Sequence, residues 1–277
     1  MKKMLLALAA VAAFTGSASA ADLPRPYVKA PPPPPPVASW TGCYIGGGGG
    51  YGLWNQENTG YLEAPGGVFD GIRQTVTART RVTETVTTGG RGYFGTVQGG
   101  CDYQFGMGAQ QFVVGAFADG DWGNIHGRVS PPGIIGGFLA GDEKMSSAWA
   151  VGGRVGWVVF PQLLTYFTGG YTEATFDRTN FNLNFPPFAT TPVYLDKATY
   201  KGWFIGAGDE YAVSFLPGLF WKTEYRVSEF DVRTNPFLIS PTATAIGFSE
   251  DSRKWVQTVR SELVYRFNWG GPVVAKY

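Results

Sequence analysis

Hydrophobic and polar residues alternate along the last long patterned stretch of the chain, Asp251–Phe267, which reads DSRKWVQTVRSELVYRF. A period of two indicates a β-strand with two unlike faces. One face is mostly apolar and aromatic, and the other carries four charges. The apolar face ends in Leu263, Tyr265 and Phe267, and the charged face includes Arg260 and Glu262.

Seven earlier segments show the same alternation or are rich in glycine. Each is longer than the ~9–11 residues that a tilted membrane-spanning strand requires. Long and short connections alternate strictly along the chain, which places all long loops at one end of an up-and-down barrel. The pattern therefore predicts an all-β fold, an eight-stranded antiparallel transmembrane β-barrel over residues 40–267. The eight predicted strands are 40–54, 91–105, 111–122, 146–160, 163–178, 199–215, 218–234 and 251–267.

The two faces of these strands predict what the barrel encloses. The apolar positions are expected to face lipid and the charged positions to face inward. An eight-stranded barrel is only wide enough for its interior to be filled by side chains, and buried charges are costly unless they are paired. We therefore expect a ladder of paired charges that closes the interior, to which Asp102 and Arg266 also contribute. The predicted ladder residues are Arg154, Glu210, Lys222, Glu224, Arg226, Arg260 and Glu262.

Tryptophan is concentrated at the ends of the predicted strands. The amphipathic indole ring favours the membrane interface, where aromatic girdles form. This distribution supports a membrane barrel over a soluble core. The residues are Trp40, Trp54, Trp122, Trp149, Trp203, Trp221, Trp255 and Trp269.

The two cysteines, Cys43 and Cys101, fall on neighbouring predicted strands near the same end of the barrel. Both are in the outward phase if Ile45 and Val97 are. An oxidising compartment and a cross-strand position permit a disulfide between them. Free thiols in a shifted register are almost equally compatible with the sequence.

The N-terminus predicts export from the cytoplasm. Lys2 and Lys3 precede the apolar run Met4–Phe14, and Ala18–Ala20 forms a small-residue cleavage site, so residues 1–20 are predicted to be a signal peptide. Its loss removes two lysines and takes the formal net charge from +1 to −1. A nearly neutral exported chain gives no support for nucleic-acid binding.

Residues on both sides of the barrel are predicted to lie in the periplasm. Residues 21–39 contain the six prolines Pro31–Pro36, which favour an extended polyproline II conformation, and are predicted to form a periplasmic tether. Residues 268–277 are predicted to form a periplasmic C-terminal tail.

The sequence predicts no catalytic, cofactor-binding or metal site, and the protein is not expected to be an enzyme. Gly46–Gly50 lacks the following Gly-Lys-Ser/Thr of a phosphate loop. Asp119, Asp121, Asp142 and Glu143, assigned to a loop, lack the spacing of a calcium site. His126 and Ser130 resemble the histidine–serine pair of barrel-borne lipid A deacylases, but both fall in a predicted loop.

Several ordered motifs resemble one family. The chain is similar to the opacity-type, outer-membrane protein A-like eight-stranded barrels, and in particular to the outer-membrane immunogenic proteins of Gram-negative bacteria. In such barrels the terminal Phe of the last strand is usually the last residue, whereas ten residues follow Phe267 here. The matching motifs are WTGCYIGGGGGYG at 40–52, GGRVGW at 152–157, GWFIGAGDEYA at 202–212, KTEYR at 222–226 and VRSELVYRF at 259–267.

This resemblance implies a location in the Gram-negative outer membrane and a structural role in envelope integrity, with surface-exposed loops. The implied partners are outer-membrane lipid and lipopolysaccharide, surface ligands of the long loops, and the barrel-assembly machinery, which would read the C-terminal strand signal Leu263, Tyr265 and Phe267. Two alternatives stay open: a small porin-like diffusion channel, and a soluble lipocalin-like periplasmic barrel whose faces are reversed.

Overall fold

A computed structural model describes residues 38–70, 75–133 and 137–267. Within these ranges, no helix has both the length and the apolar character needed to cross a bilayer. The predicted signal peptide (1–20), the predicted tail (268–277) and all of the predicted tether except residues 38 and 39 lie outside the described residues.

The described chain forms twelve β-strands. Their bounds are β1 Gly42–Asp70, β2 Thr75–Arg81, β3 Val86–Met107, β4 Gln110–Val129, β5 Leu139–Phe160, β6 Leu163–Phe176, β7 Thr179–Leu183, β8 Thr190–Leu195, β9 Ala198–Ala212, β10 Leu219–Phe230, β11 Arg233–Ile239 and β12 Thr244–Phe267.

Antiparallel pairing closes the sheet into a ring. Eight strands pair in the cycle β1, β3, β4, β5, β6, β9, β10, β12 and back to β1. The all-β barrel class predicted from the sequence is confirmed, but the strand number is twelve rather than eight. The difference arises because β2, β7, β8 and β11 continue four long strands beyond short interruptions, at residues 82–85, 177–178, 196–197 and 231–232.

The strand register fixes the tilt of the ring. Following paired residues once around the cycle from Cys43 leads back to β1 at Leu53, ten residues further along. A stagger of this size in eight strands corresponds to strands inclined by roughly 35–45° to the barrel axis. The intermediate residues are Cys101, Ala116, Gly153, Gly169, Ile205, Val227 and Gln257.

The strands are much longer than the sequence predicts, so the predicted long loops are largely wrong. The first predicted strand ends at residue 54, although the alternation over Thr75–Thr87 also predicts a hairpin that extends strands one and two beyond the membrane; β1 runs to Asp70 and pairs with β2. The last strand, β12, begins at Thr244 rather than at residue 251. The reason is that strand pairing continues beyond the bilayer, where the outer face meets water. Its outward positions no longer need apolar side chains, and the alternation on which the prediction depends fades.

Two apolar clusters fill the two ends of the interior. The outer cluster, enclosed by the loop-side ends of the strands, is built around Trp54, Phe176, Phe181, Phe237 and Phe248. The inner cluster, at the end where the shorter turns lie, is built around Trp40, Tyr44, Leu164, Tyr166 and Phe220.

The outward face of the barrel is apolar. Leu263, Tyr265 and Phe267 are 56%, 44% and 41% exposed, whereas Glu224 and Arg260 are each 2% exposed. Five of the predicted girdle tryptophans point outward: Trp122, Trp149, Trp203, Trp221 and Trp255. Trp40 and Trp54 do not, because both side chains are buried inside the barrel, and Trp269 lies outside the described residues.

Candidate functional site: the barrel interior

The innermost layer of interior charges joins two arginines to two carboxylates. Arg154 donates to Asp102 Oδ1 at 2.8 Å and to Glu210 Oε2 at 2.8 Å. Arg266 donates to Asp102 Oδ2 and to Glu210 Oε1, both at 2.6 Å, and to the Trp40 carbonyl at 3.0 Å. Since all four charged side chains are buried, each arginine is compensated by both acids.

The middle layer is centred on the Lys222 ammonium. Its Nζ lies 3.3 Å from Glu224 Oε2 and 3.6 Å from Glu262 Oε2, and it donates to Gln98 Oε1 at 2.7 Å. Gln98 in turn donates to Glu262, and the Tyr166 hydroxyl donates to Glu224 at 3.2 Å. One cation and two neutral donors thus stabilise two buried carboxylates.

The outermost layer pairs Arg226 and Arg260 with two aspartates. Arg226 binds Asp119 through two nitrogens, at 3.1 and 2.8 Å, and also donates to Glu224 at 2.9 Å. Arg260 donates to Asp121 Oδ2 at 2.9 Å and lies 3.4 Å from Asp119 Oδ1. Bidentate arginine–carboxylate pairing of this kind is both strong and geometrically specific.

All seven ladder residues proposed from the sequence therefore lie inside the barrel and contact one another through shared partners. Sequence reasoning missed Asp119 and Asp121 as interior charges: it assigned them to an outer loop although both fall within the predicted strand 111–122. The structure places both on β4, where they alternate with the outward Ala118 and Gly120. The period of two across Phe117–Asp121 was the signal that could have revealed them.

The interior leaves little free space between these layers and the outer cluster. A cavity of about 20 Å³ lies against Asp119, Asp121, Arg226 and Arg260. This volume is close to that of one water molecule.

A further polar group lies within the outer apolar cluster. The buried Lys254 ammonium donates to Glu143 Oε1 at 2.7 Å and also to Gln56. It lies 4.2 Å from the ring centroid of Phe176, 5.0 Å from that of Tyr200 and 5.1 Å from that of Trp54. Aromatic faces stabilise a desolvated cation, so this lysine is held by both charge pairing and ring contacts.

Glu250 is also buried in this outer part of the barrel, five residues beyond Trp255 toward the loops. Burial raises the pKa of Glu250 to about 8; the nearby Glu143 carboxylate acts in the same direction and Lys254 opposes it. The side chain is therefore predominantly protonated at neutral pH, in contrast to the ion-paired acids below it.

Cys43 and Cys101 face each other across β1 and β3 and form a disulfide with an Sγ–Sγ distance of 2.03 Å.

The Asp209 side chain points outward from β9. It accepts a hydrogen bond from the Thr165 hydroxyl at 2.6 Å, in a part of β9 that pairs without a register shift.

The expectation that His126 lies in a loop is wrong, because it lies on β4 and its Nδ1 is 3.1 Å from Asp142 Oδ2. Ser130 follows the end of that strand, four residues further on. At roughly 3.3 Å per strand residue the two are about 13 Å apart along the chain, too far for a hydrogen-bonded pair. Asp142 and Glu143 likewise lie on β5 rather than in a loop.

A closed antiparallel ring with an apolar exterior and paired charges inside defines an outer-membrane β-barrel protein, because only closed barrels satisfy every strand hydrogen bond within a bilayer. Over 275 residues the chain is 31% identical to the 31 kDa outer-membrane immunogenic proteins of Brucella melitensis and Brucella suis, covering 96% of this chain and 100% of each relative. The chain belongs to this family of outer-membrane immunogenic proteins, and its location is the outer membrane of a Gram-negative bacterium.

Solved structures of outer-membrane barrels are also similar to the chain. The outer-membrane protein OprG from Pseudomonas aeruginosa is 11% identical, with a TM-score of 0.47 over 83% of this chain and 99% of that chain. Ail of Yersinia pestis is 10% identical, with a TM-score of 0.31 over 81% of this chain and 99% of that chain. No family model matches the sequence.

Proposed function

We propose that this protein is a structural, non-enzymatic barrel of the outer membrane, with a closed interior and with loop-side strands that are exposed as antigen at the cell surface. The observation that carries the proposal is the three-layer charge network. Among the described residues, five interior cations and six carboxylates occupy the membrane-level lumen, and each has at least one partner of opposite charge.

This network supports a closed rather than a conducting barrel. The Arg226 guanidinium on β10 binds Asp119 on β4, four strands away in the eight-strand cycle, so this pair crosses the lumen. Arg260 on β12 reaches Asp121 three strands away, and Arg154 on β5 reaches Asp102 and Glu210, each two strands away. Removing one member of a buried pair costs about 3–5 kcal/mol. Opening a path for solutes by moving these side chains would break several such pairs together.

Planar-bilayer recording of the purified full-length protein tests the closure. We expect no steady channel from the natural sequence. The double variant Glu224→Ala, Arg226→Ala removes a pair from the middle of the network and should produce openings or leakage. A matched control, Glu173→Ala, Lys201→Ala, removes an ion pair of 3.9 Å on the outer surface and should stay closed. Large steady channels from the natural sequence would overturn the proposal and favour the small diffusion channel.

The envelope role is tested separately in cells. A strain that lacks this protein should become more sensitive to detergent and to large hydrophobic antibiotics, and expression of the natural protein should restore resistance. Unchanged sensitivity would exclude a structural contribution to the envelope. The soluble lipocalin-like alternative conflicts with the outer-membrane location and with the apolar exterior.

The barrel is proposed to carry no enzymatic activity toward the lipids around it. His126 and Asp142 form a pair on the outer surface, but the nearest hydroxyl that the sequence suggested as a nucleophile, Ser130, is not positioned beside them. Incubation of lipid A with the purified protein should leave its mass unchanged, and release of an acyl chain would contradict this part of the proposal.

A further inference from the structure

A patch of basic side chains lies on the outward surface of β3, β4 and β5, on the loop side of the aromatic girdle. This outer basic patch consists of Arg91, His126, Arg128 and Lys144. His126 pairs across the strands with Arg91 on one side and with Lys144 on the other, so three of the four are adjacent on the outer surface. Arg91 follows two residues beyond the outward Tyr93, a rise of roughly 7 Å along the strand.

The outer basic patch differs from the rest of the surface at this level because its charges are not neutralised by the barrel. On β9 and β12, Lys201 pairs with Glu173 at 3.9 Å and Arg253 pairs with Glu229. In the part of the chain that the structure describes, the Arg91 and Lys144 side chains make no ion pair or hydrogen bond. Two acids lie beside the patch among the described residues: Asp142 is engaged by His126 at 3.1 Å, and the Asp177 carboxylate accepts a hydrogen bond from Ser146 at 2.7 Å.

An open groove adjoins the outer basic patch. It has a volume of about 470 Å³ and lies between Leu53 and Asn55 on β1, Arg91 on β3, His126 on β4 and Gln257 on β12. Its floor is backbone, since Gly89, Gly90 and Gly127 contribute no side chains. The groove therefore presents polar main chain and a guanidinium above the apolar surface of the barrel.

The lipid-facing wall of β1 and β3 carries several glycines on the membrane side of the Tyr51–Tyr93 ring pair, which lies between them and the groove with its ring centroids 5.0 Å apart. Gly47 and Gly49 on β1 and Gly95 and Gly99 on β3 share the outward face. A Cβ atom at Gly95 or Gly99 would approach no atom of the barrel closer than 3.9 or 3.6 Å, so the barrel's own packing does not require glycine at these two positions. Their effect is a shallow trough that begins on the membrane side of the Tyr51–Tyr93 pair and extends past Val97 toward the middle of the membrane.

We propose that the groove and the outer basic patch bind a phosphorylated glycolipid of the outer leaflet. Its phosphate lies against Arg91 and Lys144, and an acyl chain lies in the glycine trough. Arginine and lysine are the side chains that recognise phosphate, and basic clusters at the membrane surface attract anionic headgroups. The inference rests on the outer-membrane location alone and holds whether or not the interior conducts.

Charge complementarity and position select this ligand. The unpaired cations lie at the level where the phosphates of the outer leaflet are found, just above the aromatic girdle. The trough lies on the membrane side of these cations, beyond the Tyr51–Tyr93 ring pair, so a ligand that fills both sites must carry an anionic head and an apolar chain that passes over these rings. A soluble phosphate compound would use only the first site.

The test is a titration of the purified, folded full-length barrel in detergent with bisphosphorylated lipid A, followed by native mass spectrometry. The variant Arg91→Gln, Lys144→Gln removes both unpaired charges. The matched control Lys201→Gln, Arg253→Gln removes two basic residues outside the patch, on β9 and β12, each of which is already paired with an acid. Both sets are exposed, and heat-dependent gel mobility establishes that each variant is folded before binding is measured.

We expect the Kd for lipid A to rise about tenfold or more in the first variant and to stay within about twofold in the control. Dephosphorylated lipid A should bind the natural protein as weakly as the first variant binds lipid A. The single variants Arg91→Gln and Lys144→Gln should each show part of the loss. Equal Kd values for the natural protein and the first variant, or for phosphorylated and dephosphorylated lipid, would overturn the proposal. Binding of inorganic phosphate with the same Kd as lipid A would also overturn it, because the trough would then contribute nothing.

Discussion

At the scale of single residues, the interior shows how a small barrel tolerates many ionised groups. Buried charges are expensive, and their mutual attraction compensates only when the geometry is good and the remaining hydrogen-bonding groups are satisfied. Arg154 and Arg266 meet this condition by sharing the same two acids. Glu250 does not, because the nearest cation, Lys254, already binds Glu143.

The raised pKa of Glu250 predicts that the stability of the protein depends on pH. Its folded pKa of about 8 lies above the ordinary value of 4.5. Between these values the folded chain holds a proton that the unfolded chain releases, so this group lowers the free energy of unfolding as pH rises from about 4.5 to 8. The shift corresponds to a loss on the order of 5 kcal/mol. Glu250→Gln should remove this loss, with its largest gain at pH 8 and above, in unfolding measurements made across the pH range.

Glu143→Gln is the matched control for that variant. The two glutamates lie in the same polar group, but Glu143 is ion-paired to Lys254 at 2.7 Å. Its neutralisation leaves a buried ammonium without its acid and should lower stability by about 3–5 kcal/mol. A gain for Glu143→Gln equal to that for Glu250→Gln would show that the two carboxyls do not differ as described.

At the scale of elements, β12 is the strand on which closure depends, because it pairs with β10 on one side and with β1 on the other. Its two faces meet different solvents. Val259 points outward between Trp255 and Tyr265, near the middle of the bilayer, while Arg260 beside it enters the charge network. A single residue of register shift would exchange these environments along the whole strand.

Val259→Lys tests the orientation of β12. A lysine on the lipid face near the midplane costs about 2–4 kcal/mol, and we expect a loss of that size in the free energy of unfolding measured in lipid vesicles. Val82→Lys places the same charge in the exposed connection between β2 and β3 and should change stability by less than about 0.5 kcal/mol. Equal effects of the two substitutions would contradict a lipid-facing Val259.

At the scale of the whole molecule, the ring continues beyond the membrane as one hydrogen-bonded wall. β11 pairs with β12 and β8, and β7 pairs with β5 and β8, so the loop-side ends of the strands are linked around the barrel. The outer apolar cluster fills this part. The paired loop-side ends of the strands, here called the collar, therefore form the surface-exposed part of the protein.

Limited proteolysis of intact cells tests this arrangement. Because the backbone of the collar is paired, added proteinase K should cut among the described residues only at the connections, within 82–85, 130–133, 137–138, 184–189 and 240–243, and should leave a protected barrel. Rapid cleavage inside β1 between residues 55 and 63, or inside β12 between 248 and 254, would show that these ends are open loops.

The alternation of side chains was sufficient to predict the barrel, the lipid face of β12 and seven interior charges, because a repeat every second residue shows which residues share a face. Lys222, Glu224 and Arg226 lie on one side of β10 whatever the strand pairs with. The same reasoning failed at Trp40 and Trp54, because their position near strand ends resembles that of a girdle residue, and only packing shows that they point inward.

The sequence alone thus determined the class of fold, the closing strand, and which face of each strand is apolar and which is charged. These properties follow from local periodicity and from the bilayer as solvent. Tertiary structure decided which charges are partners. Lys254 meets Glu143 and Arg226 meets Asp119 across more than 100 residues of chain. It also decided how far the strands extend beyond the membrane and that Arg91 and Lys144 stay unpaired. Such relations depend on the register and stagger of the closed ring, to which every strand contributes and which no single segment encodes.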